Sequence, residues 1–88
     1  MAEIAVRREG DDTFEVRVRE GAGASTHAVI LDDEVYGRLG AGYASKEEFL
    51  RVCFEFLLAR EPKESILSRF EVPVIARYFP EFEDEIRR

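Results

Sequence analysis

The stretch SKEEFLRVCFEFLLAREPKESILSRFEVPVIARYFPEF, residues 45–82, decides the fold of this chain. It opens with Ser45 and Glu48, which are spaced as in a capping box. The run that follows predicts the main helix over residues 46–60. Three prolines then interrupt the chain, and a proline either ends a helix or starts a new one. We therefore expect short helical turns over residues 63–70, 73–79 and 81–87.

The main helix carries more apolar surface than a helix on the outside of a monomer usually does. At about 100° per residue, its polar positions fall in one narrow stripe: Glu47, Glu48, Arg51 and Glu55. Every other position from 49 to 59 is apolar. A sheet face and the C-terminal turns would cover two sides of this helix, and a twofold partner would cover the rest. The pattern therefore predicts self-association.

Three stretches upstream read as strands, at about 3–9, 13–20 and 26–31. The second alternates most cleanly, with Phe14, Val16 and Val18 on one side and charged residues on the other. Short links join the three stretches, so sequential pairing predicts a three-stranded antiparallel meander. Residues 21–25 are expected to form a flexible connection.

A short helix is expected over residues 33–39, between the third strand and the main helix. Asp32 has the side chain of an N-cap, and acidic residues follow it in the first turn. Gly40 suits the left-handed position that often follows a helix. The chain is thus expected to form a single α+β domain over residues 1–88.

The small size of the chain bears on how it is stabilised. A chain of 88 residues buries only roughly 60–65% of its unfolded surface. Small domains of this kind rely on disulfides, metals or oligomerisation. One cysteine cannot form an internal disulfide, and one histidine without a Cys/His cluster argues against structural zinc. Oligomerisation is the remaining means of support.

Composition also bears on compartment and partners. The first residues do not read as a signal peptide, and no apolar run approaches the length of a membrane span, so we expect a cytoplasmic protein. The net charge of −6 works against binding of nucleic acid. Arg17 and Arg19 are compatible with an anion-binding sheet face or with an ordinary solvated face, and we favour the solvated face.

Catalytic residue patterns are not recognisable in the sequence. His27 is the only histidine, and neither a nucleophile nor an orienting partner can be assigned to it. We interpret it as an ordinary strand position and Cys53 as a small buried hydrophobe. The other candidates, Ser25, Ser65 and Tyr78, show no nucleophile–base spacing. The sequence therefore predicts no enzyme, no cofactor, no metal site and no small-molecule ligand.

Two resemblances to known families are present. Residues 55–67, EFLLAREPKESIL, with Phe70, Ile75 and residues 77–82, RYFPEF, resemble a family of small bacterial proteins without a known activity. This resemblance implies a bacterial, cytoplasmic setting and no particular chemistry.

The second resemblance is to the ribbon-helix-helix regulators, whose pattern is a strand followed by two helices. Residues 28–58 are similar to it, with VILDDEVY, residues 29–36, as strand and helix entry and SKEEFLR, residues 45–51, as the start of the second helix. This resemblance implies a dimer that binds DNA as a repressor or antitoxin.

These observations predict a protein-interaction module that acts as a homodimer or binds another protein. Its expected contact surface consists of Phe54, Leu58, Arg60, Glu61, Lys63 and Glu64. The polar part of that set, residues 60–64, also reads as a helix exit followed by a helix entry, which we favour. The first alternative is a DNA-binding regulator, and the second is a small-molecule enzyme.

Overall fold

Within residues 2–88, which the computed structural model describes, four strands form one sheet. They are β1 (Glu3–Arg8), β2 (Thr13–Glu20), β3 (Gly23–Ile30) and β4 (Arg69–Glu71). The order is β1-β2-β3-β4. The first three strands make the predicted antiparallel meander, and β4 adds to β3 in parallel, which the sequence pattern did not predict.

The link between β2 and β3 is a tight turn, not the expected flexible connection. Glu20 pairs with Gly23, so only Gly21 and Ala22 lie between the strands. Gly21 has φ +61, and no other described residue has a positive φ. A glycine at the first central position is typical of a type II′ turn, which suits the twist of a hairpin. This turn starts β3 three residues earlier than expected.

The sheet has one buried face and one exposed face, as the alternation in β2 predicted. Phe14, Val16 and Val18 are completely buried, whereas Arg17 and Arg19 are exposed. The helices lie on the buried side, because that side presents the large, fully buried apolar side chains of the sheet. The domain is therefore a two-layer α+β structure.

The helices follow the sheet in the chain, with one exception at β4. They are α1 (Asp33–Leu39), α2 (Lys46–Leu58), α3 (Ile75–Tyr78) and α4 (Phe82–Ile86). Single 3₁₀ turns span Lys63–Ser65 and Val72–Val74. Both predicted N-caps are present: Asp32 accepts from the Val35 N–H at 2.8 Å, and Ser45 accepts from the Glu48 N–H at 3.1 Å.

The predicted helical turn over residues 63–70 is wrong beyond Ser65. Ile66 is extended, at φ −76 and ψ 132, and β4 follows at Arg69. Ala28 donates its N–H to Ser68 O at 2.8 Å, so hydrogen bonds to β3 replace those of a helix. The predicted turn over 73–79 is likewise divided between a 3₁₀ turn and α3. A contact distant in sequence has overridden local propensity in this segment.

Gly40 does not take the left-handed conformation predicted for it. Its φ is −114, and the requirement for glycine comes from close packing. A Cβ at this position would lie 2.6 Å from Cδ1 of Tyr36 and 3.0 Å from Cδ1 of Phe49. The end of α1 is thus placed by contact with α2 and not by a C-cap motif.

The chain covers its main helix by itself, which corrects the expectation that a twofold partner is needed there. Six residues of α2 are buried in the domain core: Phe49, Leu50, Cys53, Phe54, Phe56 and Leu57. Val52 and Leu58 are half-buried against that core. The accessible surface is 5212 Å². A compact monomer of 10.1 kDa has about 5,300 Å².

The C-terminal segment wraps its own domain. Phe82 is completely buried and lies edge-on to Phe56, with ring centroids 5.1 Å apart. Ile86, four residues on, is buried as the i, i+4 pairing predicted. Tyr43 donates its hydroxyl to Ile86 O at 2.6 Å and holds the end of α4 against the loop before α2. Over residues 2–88, no helix has the length and apolar character needed to cross a bilayer.

Candidate functional site

An apolar groove lies where α2 ends, between the segment that follows α2 and helix α3. Its volume is about 120 Å³. Two polar residues, Glu61 and Ser65, contribute to its lining. The remaining lining residues are Leu57, Ile66, Leu67, Phe70, Val74, Ile75, Tyr78 and Phe79.

The size of the groove indicates what class of ligand it fits. Pockets for drug-sized ligands enclose roughly 300–1,000 Å³. A cavity of about 150 Å³ holds one benzene ring. The groove therefore has room for one aliphatic or aromatic side chain. A single large side chain seated in an apolar pocket is typical of the energetic centre of a protein–protein interface.

Two large apolar side chains at this groove are exposed to solvent. Leu67 is 45% exposed and Tyr78 is 66% exposed, and no other large apolar residue in the described chain is comparably open. Isolated exposed apolar residues are ordinary, but two beside an apolar groove make a continuous patch. We call Leu67, Tyr78 and the groove between them the groove surface.

The groove surface is held in place by hydrogen bonds to β3. Leu67 O accepts a hydrogen bond from His27 Nδ1 at 2.7 Å, and Ser68 O accepts from the Ala28 N–H. Because Ile66 is extended, adjacent side chains point in opposite directions, so Ile66 enters the core and Leu67 turns outward. Backbone pairing, and not helical periodicity, therefore determines which of these residues is exposed.

Glu61 is the only residue lining the groove that carries a charge at neutral pH. It is half-buried, and this burial raises the pKa of its carboxyl group above the ordinary value. None of the ion pairs formed within residues 2–88 involves Glu61. Anything that covers the groove would remove further water from this carboxylate.

Only some of the residues that were predicted to form the contact surface are exposed to solvent. Phe54 is 0% exposed and packs between His27 and Phe70, at centroid distances of 5.3 and 6.0 Å. It is a core residue, because its position on α2 faces the sheet. Leu58, one turn further along α2, is half-buried. The prediction that Phe54 contacts a partner is therefore wrong.

Arg60 fastens the C-terminal segment to α2. Its guanidinium carbon lies 3.6 Å from the centroid of Phe56, and its side chain donates to Glu81 at 3.1 Å and Glu85 at 3.0 Å. It also donates to Phe56 O at 3.1 Å, in the last turn of α2. Arg60 thus has the helix-exit role that the sequence favoured.

Lys63 and Glu64 are paired with each other. Lys63 is 8% exposed, and its Nζ donates to Glu64 Oε2 at 2.7 Å. This hydrogen bond lowers the pKa of the exposed Glu64 carboxyl group. The Lys63 ammonium lies against the turn at Gly23, 3.2 Å from where a Cβ would stand. Both residues therefore help to fix the segment that leads into the groove.

Ser25 and His27 form a contact that the sequence did not reveal. Ser25 Oγ lies 2.8 Å from His27 Nε2, the separation expected of a nucleophile and its base. Leu67 O can only accept, so Nδ1 donates to it, and Nε2 faces the Ser25 hydroxyl, which can donate or accept. His27 is 2% exposed, and neither residue lines the groove. The contact satisfies the polar atoms of a buried strand residue.

The exposed face of the sheet carries the two arginines considered as an anion site. Arg17 lies between Ala5 and Thr26, and Arg19 lies between Glu3 and Ala24. The arginines are thus interspersed with small, polar and acidic residues. Whether this face binds an anion or is an ordinary solvated face stays a prediction. Among residues 2–88, no group of three or more His, Cys, Asp or Glu side chains is placed to hold a metal ion.

The strand assigned to the ribbon-helix-helix pattern lies inside the sheet. β3 pairs with β2 along one edge and with β4 along the other. A ribbon shared by two chains needs a strand with a free edge. The geometry of β3 therefore gives no support to the DNA-binding alternative.

Sequence reasoning missed the residues that make the groove surface. The helical turn predicted over residues 63–70 includes Leu67, and the sequence offers Tyr78 only as a nucleophile candidate without a base. The signal available was the segment SRFEVP, residues 68–73, which has the alternation of a short strand before a proline.

Comparison of the chain with family models, curated proteins and solved structures gave no match.

Proposed function

We propose that this protein is an interaction module without catalytic activity that forms a homodimer through its groove surface. The observation that carries the proposal is the exposure of Leu67 and Tyr78 beside a groove sized for one side chain. Complete burial of a large apolar side chain is worth about 1.5–3 kcal/mol, and Leu67 and Tyr78, which are partly exposed, forgo roughly half of that each. A partner that covers them recovers it.

The composition of the groove supports binding over catalysis. Glu61 and Ser65 are its only side chains, apart from the Tyr78 phenol, that could transfer a proton or attack a substrate. A catalytic site needs a nucleophile, a base and a group that stabilises developing charge within one pocket. A mainly apolar groove of this size supplies an anchor for a side chain instead.

A second copy fits the groove surface because the same patch presents both a projection and a recess. Under a twofold axis, a patch meets its own copy, so Tyr78 of each chain faces the groove of the other. The apolar excess of α2 predicts a homodimer, but the fold covers that excess within one chain. The groove surface takes the place of α2 as the proposed contact.

A cytoplasmic location belongs to the same proposal, supported by the single buried cysteine.

The proposal is tested by absolute mass in solution, measured by light scattering after size exclusion across a dilution series. We expect a mass near twice 10.1 kDa at the higher concentrations. Tyr78→Glu and Leu67→Glu are each expected to return the protein to a monomer. Thr26→Glu introduces the same charge on the exposed sheet face and is expected to leave the dimer intact. A wild-type monomer at every concentration contradicts the proposal.

A further inference from the structure

We propose that the two copies join edge to edge along β4, so that their sheets continue across a twofold axis at Phe70. This inference rests on the proposed function and specifies which surfaces meet. In it, β4 of one chain runs antiparallel to β4 of the other. The groove surfaces then face each other across the same axis, on the helical layer of the joined sheet.

The backbone of β4 leaves one edge open. Ser68 O points toward β3, since it accepts from the Ala28 N–H. Successive residues of a strand direct their N–H and C=O groups to opposite sides, so those of Arg69 and Glu71 point away from β3. Within residues 2–88, β4 ends the sheet, and no strand pairs with this side. An unpaired edge of this kind is a template for another strand.

The charged side chains of β4 are complementary to those of a second β4 that runs antiparallel to it. When the strand is turned over about Phe70, Arg69 of one chain lies opposite Glu71 of the other, and the reverse pair forms as well. Arg69 and Glu71 pair in the sheet with Ala28 and Ile30, so both lie on the exposed face. Each dimer therefore gains two cross-strand ion pairs, and opposite charges facing across strands stabilise a ladder.

The groove lies on the same side of the molecule as this edge. Phe70 is the central residue of β4, and its side chain lines the groove. An axis at Phe70 therefore brings the two grooves together and covers Leu67 and Tyr78 of both chains. The unpaired edge of β4, its alternating charges and the groove surface therefore all indicate the same face as the interface.

The other edge of the sheet is the competing location. β1 also complements itself, since Glu3 and Arg7 would face each other across a twofold axis at Ala5. Arg7 is already engaged, at 3.0 Å from Glu9 and 3.3 Å from Glu15. The exposed apolar residues Leu67 and Tyr78 line the groove, which does not include β1. We therefore assign the interface to β4 and use β1 as the matched control.

The register is tested by disulfide formation between two single-cysteine variants, Arg69→Cys and Glu71→Cys. Directly paired residues have Cα atoms about 5.5 Å apart, within the range of a disulfide. Like residues, 69 with 69 or 71 with 71, lie diagonally at about 7–8 Å, beyond that range. Under mild oxidation, we expect the mixture to cross-link several-fold more than either variant alone. Buried Cys53 is common to all samples.

The mixture of Glu3→Cys with Arg7→Cys applies the same test to β1, where we expect only background cross-linking. A second measurement reverses the charges of β4. Arg69→Glu and Glu71→Arg each place like charges opposite one another at two symmetric positions. Each change is expected to weaken the dimer about tenfold, and the double variant to return within about threefold of wild type.

The outcomes separate this inference from the proposed function. Cross-linking specific to the 69/71 mixture, with recovery in the double charge variant, supports the β4 interface. A stable dimer that cross-links through residues 3 and 7, or shows neither pattern, overturns the β4 interface and leaves the homodimer standing. A wild-type protein that stays monomeric at every concentration overturns both.

Discussion

The two edges of the sheet are built in different ways. β1 has six residues, and each pairs with a residue of β2, to which a short turn joins it. All the polar side chains of β1 are charged. β4 has three residues and pairs with β3, about forty positions away in the chain. β1 is therefore held mainly by its own ladder, whereas β4 depends on the side chains around it.

This difference shows where stability and recognition lie in a small domain. Both edges carry charged residues, but Arg7 of β1 is already paired with Glu9 and Glu15, whereas Arg69 and Glu71 of β4 form no ion pair within residues 2–88. A short strand beside an apolar groove offers a partner both backbone groups and apolar contact. The edge that is weaker by itself is thus the one suited to binding, and four substitutions test how β4 and its surroundings are held.

The largest effect is expected for Phe70→Ala. Phe70 is buried and packs against Phe54 at 6.0 Å, so its removal leaves a cavity under β4. We expect a loss of about 3 kcal/mol in the free energy of unfolding, measured by urea denaturation. Val6→Ala, at a half-buried position on β1, is the matched control and should cost about 1 kcal/mol. Equal losses at the two positions would contradict the comparison.

A smaller loss is expected for His27→Ala, which removes the hydrogen bond to Leu67 O and leaves that carbonyl without its partner. Loss of this hydrogen bond and of a buried ring that packs on Phe54 costs about 1–3 kcal/mol together, so we expect a loss near 2 kcal/mol. Amide hydrogen exchange should also quicken in β4 more than in β1. Thr26→Ala, on the exposed face of the same strand, should change stability by less than about 0.5 kcal/mol. Unchanged exchange in β4 would show that His27 does not hold this edge.

Arg60→Ala is expected to loosen the C-terminal segment that stands behind the groove. The change removes the stacking on Phe56 and the contacts with Glu81 and Glu85. Partly exposed interactions of this kind are worth about 1 kcal/mol together. Limited proteolysis should then cleave nearer to α4 than in wild type. Arg87→Ala, which loses only an exposed pair with Asp84, is the control and should resemble wild type.

The smallest effect is a pH dependence at Glu61. Burial raises the pKa of this carboxyl group, so the folded state is favoured as pH falls toward the ordinary value near 4.5 and disfavoured above the raised pKa. Glu61→Gln should therefore stabilise the protein slightly at neutral pH, and the gain should vanish in acid. Glu64→Gln is the opposite control, because Lys63 lowers the pKa of Glu64 and its contribution is lost on acidification. Thermal melts at matched pH values would show both signs, and a gain for Glu61→Gln that persists in acid would contradict this assignment.

Local signals were sufficient for the larger part of the fold. The capping box, the acid-capped α1 and the alternation in β2 each predicted an element that the structure contains. The fourth strand has only a short local signal, the alternation over residues 68–73, and the helical spacing beside it competes with that signal. Ile66, Leu67 and Phe70 have helical spacing, yet the pairing of β4 with β3 determines their conformation. Parallel pairing between distant segments has no counterpart in a short window of sequence.

The candidate site was predicted less well than the fold. The apolar excess of α2 correctly indicated extensive burial, but the sequence does not say whether the cover comes from the same chain. The sequence therefore predicts a surface position for Phe54, which lies in the core. Leu67 and Tyr78 are apolar residues among many, and their exposure depends on the extended backbone at Ile66 and on the end of α3. Exposure of this kind is a property of the folded chain.

The burial of Cys53 makes its thiol a probe of how often the domain opens. Its thiol is fully enclosed at the centre of α2, and desolvation raises its pKa far above the ordinary range, so a native molecule offers no thiolate to an alkylating reagent. Modification must wait until the sheet and α2 separate. With the alkylating reagent in large excess, the rate of modification in native buffer therefore reports how fast α2 separates from the sheet, without dye, tag or denaturant.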